Sequence, residues 1–257
     1  INFTIDPNNK KSQKTIDWPR TWEVRGEIYQ TIYQSEKESV KSLAEDPLSE
    51  ALKSYKKALE LDEKDRYSKN LKIKLTLLIS DFTNQAVQAF NNENFNKALH
   101  SFEQVLDINS LDIIKADNPN VVDTVIIFNT GLAAYNAENY DKAIEYYKEA
   151  AKYGYSGSRT YNLLANAYQL NKDTTGALTI LQEGFEKYPE DNNVLTSMIQ
   201  IYLDMNKTEE ALKYLNMAIK QDPQNATYYF AQGTLYERMK DEEKAIEAYK
   251  KAIDIRP

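Results

Sequence analysis

Through the second half of the chain, apolar side chains recur in a spacing of four then three residues, the signature of one stripe of an amphipathic helix. Ala143, Tyr147 and Ala150 form such a stripe, and Ala177-Leu181-Gly184, Ala211-Leu215-Ala218 and Ala245-Tyr249-Ala252 repeat it at intervals of 34 residues. Pro189, Pro223 and Pro257 follow at constant phase, where a residue without an amide hydrogen stops a helix. A second set with the same spacing precedes each stripe: Tyr161, Ala165 and Tyr168; Leu195, Ile199 and Tyr202; Tyr229, Gly233 and Tyr236. The repeating unit is therefore predicted to be two helices of about 14 residues each, joined by turns such as Asn171-Lys172-Asp173.

The first half carries the same stripes at wider intervals. Ala98-Phe102-Val105 and Ala51-Tyr55-Ala58 read as second helices, with Phe82-Ala86-Ala89 and Trp22-Gly26-Tyr29 in the first helices before them. The chain then divides into six units, 19–65, 66–112, 113–157, 158–191, 192–225 and 226–257, after a segment 1–18 that reads as the end of a preceding unit or an N-terminal segment. Extra residues lie around 35–47, 65–78 and 112–123. The middle insert reads partly as a helical extension, because Leu71, Ile73, Leu75, Leu77 and Leu78 bring apolar density without Gly or Pro. Inserts of this kind are tolerated loops, longer helices or sites of function.

The alanine, aromatic and proline positions resemble the tetratricopeptide repeat, W-x₂-L-G-x₂-Y followed by A-x₃-F, a small residue and a proline. The resemblance covers nearly the whole chain. It implies an all-α fold, a right-handed α-solenoid of helix-turn-helix units stacked as one array, with the first helices lining a concave groove. Carried onto this sequence, the groove positions are Thr83, Val87, Phe90 and Asn91; Phe128, Leu132, Tyr135 and Asn136; and Arg159, Asn162, Asn166 and Gln169. They continue with Asn193, Thr196, Gln200 and Leu203, and then Thr227, Phe230, Thr234, Glu237 and Arg238. Amides that can bond an extended backbone alternate there with rings that can anchor apolar groups, a composition suited to a protein or peptide ligand. Asn129, Asn162, Asn166 and Arg159 partly echo the carboxylate clamp of co-chaperone members, but the lysines of that clamp are missing.

Composition narrows the chemistry. There is no Cys and only one His, which excludes thiolate and multi-histidine metal sites within one chain. His100 shares an outward helical face with Asn96 and Gln104, and Glu209-Glu210 and Glu242-Glu243 sit where a helix start favours negative charge. No phosphate-loop, dinucleotide, nucleophile-elbow or zinc-protease motif occurs, so no enzyme activity and no cofactor is expected. A net charge of −7 opposes nucleic-acid binding. No stretch approaches the roughly 18 apolar residues of a membrane span. The expected function is a non-enzymatic scaffold that binds a protein or peptide in its groove. The alternative is an assembly protein that stacks on other chains, or on itself, through open repeat ends or insert surfaces. The chain begins without Met and stops at the phase proline, which reads as a processed or truncated piece, or one whose last face another chain covers. The Asn, Tyr and Lys richness and the Asp46-Pro47-Leu48 insert resemble repeat proteins of bacterial envelopes, which favours a periplasmic or envelope location over the cytoplasm.

Overall fold

The computed structural model describes residues 15–117 and 119–256, so most of the segment expected at 1–18 lies outside the described residues. Among the described residues there are fourteen helices and no strand. The chain divides into two compact units, 1–133 and 134–257. Unit 1 holds α1 (Pro19–Gln34), α2 (Glu38–Lys41), α3 (Pro47–Leu61), α4 (Ser68–Asn91), α5 (Phe95–Ser110), α6 (Asp112–Lys115) and most of α7 (Thr124–Asn136). Unit 2 holds α8 (Tyr140–Lys152), α9 (Ser158–Leu170), α10 (Thr174–Lys187), α11 (Asn192–Asp204), α12 (Thr208–Gln221), α13 (Ala226–Arg238) and α14 (Glu242–Ile255).

In unit 1, α1 packs on α3 and α4 on α5, and α3 meets α4. Unit 2 pairs α9 with α10, α11 with α12 and α13 with α14, and each pair packs on the next. The fold is thus the all-α helical solenoid that the period predicts.

Volume complementarity holds each pair together. A Cβ placed on Gly26 would lie 2.3 Å from the ring of Tyr55, which is fully buried, and one on Gly233 would lie 2.5 Å from the ring of Tyr249. Where the first helix carries Ala165, the second carries Leu181 in the same core cluster. Where it carries Ile199, the partner is Leu215. In the first three of these pairs a small residue on the first helix is met by a large one on the second, and in the fourth two branched residues of equal size share the crossing.

The turns between paired helices repeat without glycine. Glu93, Glu138, Lys172, Asn206 and Lys240 all have φ between 57° and 63°. The next amide bonds back five residues, as in Asp173 N to Tyr168 O at 2.8 Å and Asp241 N to Tyr236 O at 2.9 Å, which closes the first helix in a Schellman motif. The same residue opens the second helix: the side chains of Asn94, Asn139, Asp173 and Asp241 each accept a first-turn amide.

The inserts resolve as structure. The first contains α2 and ends at Asp46, which caps α3. The second is helical, merging with the first helix of its unit into the 24-residue α4. Leu71, Leu75 and Leu78 of this extension are fully buried, while Ile73 and Leu77 stand 53% and 56% exposed. The third contains α6, which packs on α4, and Lys72 pairs with Asp117 at 2.5 Å. Polar links tie α1 to α4: Asp81 accepts Gln30 at 2.6 Å and Gln34 at 2.9 Å, and Lys74 pairs with Glu27 at 2.5 Å.

His100 reaches across to the cap of α3. Its Nε2 lies 3.0 Å from Ser49 Oγ and 3.6 Å from Asp46 Oδ2. Serine and carboxylate share one ring nitrogen, so this is not the relay in which histidine bridges the two through opposite nitrogens. The hydrogen bond from His100, aided by Ser49 and opposed by burial, holds the Asp46 carboxyl at about 2.

Gly233→Ala forces the Tyr249 ring out of place and costs about 1–3 kcal/mol, and adding Tyr249→Leu recovers part of the loss; urea denaturation of the single and double variants measures both. Because the Asp46 carboxyl titrates lower in the folded chain than in the unfolded one, its contribution is present above the ordinary carboxylate range and disappears as pH falls through about 2. Asp46→Asn, which keeps a capping oxygen, therefore lowers the melting temperature at pH 5.5 and has little effect at pH 2, as followed by circular dichroism.

Candidate functional site

Hydrogen bonding separates the expected groove residues into two classes. In unit 2, Asn162 accepts Ser197 Oγ at 2.8 Å and donates to the Ser158 carbonyl at 3.4 Å, a bridge between α9 and α11. Gln200 donates to Asp204 at 2.8 Å, one turn along its own helix. Thr234 donates to the Phe230 carbonyl at 3.1 Å. These groups already serve the fold. Asn193 is exposed and its side chain bonds the Asp191 carboxylate, whereas Asn166, exposed, and Gln169, half-buried, have side-chain amides with no partner among the described residues. Arg159 and Arg238 are exposed.

In unit 1 the expected residues converge. Val87, Phe90, Asn91, Phe102, Asn129 and Leu132 line one cavity of about 160 Å³ between α4, α5 and α7. Its lining is apolar except for Asn91 and Asn129, whose side-chain amides have no partner among the described residues. The Phe90 ring is braced edge-on by Phe95, with centroids 5.2 Å apart. Phe102 was legible as core, because it belongs to the stripe of α5, but its part in this cavity depends on how α5 meets α7.

Three aromatic positions differ from a simple groove wall. Phe128 is buried, 5% exposed, because α7 is apolar almost all the way round (Thr-Val-Ile-Ile-Phe-Asn-Thr-Gly-Leu-Ala-Ala-Tyr) and such a helix is enclosed rather than edged. Tyr135 is half-buried against Tyr140, centroids 6.0 Å apart, and burial raises its hydroxyl above the usual tyrosine range. Asn136 follows it on the exposed end of α7. Phe230 is 60% exposed and lines a second hollow, of about 490 Å³, with Thr227 of α13, Tyr249, Ala252 and Ile253 of α14, and Arg256 just past its end. Ile219, 34 residues before Ile253, packs in the cluster that includes Tyr228, Ala231 and Leu235 of α13.

Among the described residues no group of three or more His, Asp or Glu is placed to hold a metal ion, and no helix is long and apolar enough to cross a membrane.

Residues 128–192 and 197–257 match the tetratricopeptide repeat family. The chain is a tetratricopeptide-repeat protein. Its solved structural neighbours include MamA, with a TM-score of 0.52 and 19% identity over 69% of this chain and 91% of that one. MamA from Desulfovibrio magneticus RS-1 aligns with a TM-score of 0.51 and 16% identity over 69% and 94% of the two chains. At these identities the likeness concerns the fold. In sequence, the chain is 26% identical over 131 residues to BBSome complex member BBS4 of Bos taurus, a match spanning 51% of this chain and 25% of that protein.

The tetratricopeptide-repeat frame and the hydrogen bonds together separate structural amides from available ones. Asn162→Ala removes the bridge to Ser197 and lowers the unfolding free energy by about 1 kcal/mol. Asn129→Ala, which breaks no internal bond, stays within about 0.5 kcal/mol of the parent. Chemical denaturation of the two variants side by side checks the distinction.

Proposed function

We propose that this tetratricopeptide-repeat protein is a non-enzymatic scaffold that holds a segment of a partner protein in the groove of its repeats. The observation that carries the reading is the unit 1 cavity: an apolar floor of Val87, Phe90, Phe102 and Leu132, with Asn91 and Asn129 offering amides that no other described residue uses. A small apolar recess with a few polar groups at its edge accepts one hydrophobic side chain and bonds the backbone on either side of it. The available amides of Asn166 and Gln169, and the charged Arg159 and Arg238, extend the same chemistry to the inner positions of unit 2. A match to a member of a protein complex agrees with a role in protein association.

A second reading, assembly with another chain, rests on the exposed apolar hollow of α13 and α14. One experiment separates them. Peptides selected from a displayed random library on the full chain are titrated by fluorescence anisotropy, with light scattering on the same samples. The groove reading expects capture at constant mass and at least a tenfold loss of affinity in Val87→Asp combined with Asn129→Ala. Unchanged affinity in that folded variant overturns it, and a mass that climbs with concentration supports assembly.

A further inference from the structure

We infer that the helical insert before the second repeat lengthens the unit 1 site, so that its ligand is an extended, uncharged peptide segment with two apolar side chains four residues apart. The inference rests on the groove reading above and specifies its ligand.

The inserted residues turn α4 into a helix of 24 residues, about 36 Å long, where an ordinary first helix of the array has 13. One face of α4 runs through Ile73, Leu77, Ser80, Asn84, Val87 and Asn91, steps of four and three residues, and all six are exposed. None is charged, in a chain whose residues are 28% charged. The stripe ends in the cavity, where Val87 and Asn91 form part of the lining. The first-helix extension is rigidly placed: Leu71, Leu75 and Leu78 bury its opposite face, and Lys72 is tied to Asp117 beside α6. The exposed Ile73 and Leu77 are thus held as a second apolar platform in line with the first.

Spacing and chemistry choose the occupant. Val87 and Leu77 are ten residues apart, about 15 Å along the helix. An extended chain covers that distance in four to five residues, and only an even number returns a side chain to the same face, which selects four. A helical ligand needs about ten or eleven residues to span the same gap. Hydrogen bonding separates the two: a helix satisfies its own backbone, whereas an extended segment presents N–H and C=O groups that need partners. Asn84, Asn91 and Asn129 supply them, exposed or half-buried amides with no bond among the described residues. The absence of charge along the stripe disfavours an ionised ligand side chain between the anchors, since burying it there without a partner is costly.

The test is selection of displayed random 14-residue peptides on the full chain, followed by anisotropy titrations of the selected sequences against the parent, Val87→Asp, Leu77→Asp and Ile73→Asp. Expected are two apolar residues four apart with no charge at the position midway, and at least a tenfold loss of affinity in both Val87→Asp and Leu77→Asp. A peptide with its second anchor changed to Ala loses as much and no longer senses Leu77→Asp. Because Leu77 and Ile73 are more than half exposed, melting temperatures stay at the parent value and binding losses are not losses of fold. Anchors ten or eleven residues apart overturn the extended ligand in favour of a helix. Sensitivity to Val87→Asp but not to Leu77→Asp or Ile73→Asp overturns this inference while leaving the groove reading intact. Indifference to all three variants, or no peptide selected at all, removes both.

Discussion

The close approach of two helices within each repeat is the constraint on which the structure depends. A tyrosine ring against a glycine backbone, as in Gly26 with Tyr55 and Gly233 with Tyr249, leaves no room for even one added carbon. Elsewhere the crossing is filled by Ala165 with Leu181, or by the bulkier pair Ile199 and Leu215. At each crossing the facing side chains fill the space between the helices, which lets one pair stack on the next and the array grow by addition.

Turn geometry gives that crossing its angle of entry. In four of the five turns the left-handed residue and the Asn or Asp that follows it close one helix and open the next within three positions, so the two helices cannot slide. Unit 1 adds polar ties: Asp81 gathers Gln30 and Gln34, Lys56 meets Asp107 at 2.7 Å, and Lys74 meets Glu27. Such partly exposed pairs contribute little individually, and their effect is to fix register between helices that apolar packing alone would let rotate.

The fold leaves some of its polar groups unused, and these are the ones open to a ligand. Asn162 and Asn129 occupy comparable first helices, yet one spans two helices of the stack and the other faces an apolar recess with its amide unclaimed. The difference lies in whether a neighbouring side chain such as Ser197 is within reach. The recess sits in the unit whose repeats carry inserts, and the longest insert adds to the wall beside it. Irregularity in the period and available binding chemistry coincide.

By itself the sequence determined the helix pairs, their phase and the all-α architecture, because four-three apolar spacing and a 34-residue interval admit no other regular structure. It also showed that residues 65–78 could continue as helix, since nothing there breaks one. Only the tertiary structure decided which of the expected groove residues remain available. Phe128 and Phe230 occupy the same position in their units, yet one is enclosed and the other open, because the helices around them differ. Asn91 and Asn129, from different helices, meet at one cavity while Asn162 and Gln200 are bonded away. Periodicity records which face of a helix a residue occupies. Whether that face is already satisfied depends on neighbours tens of residues distant, which a local pattern does not encode.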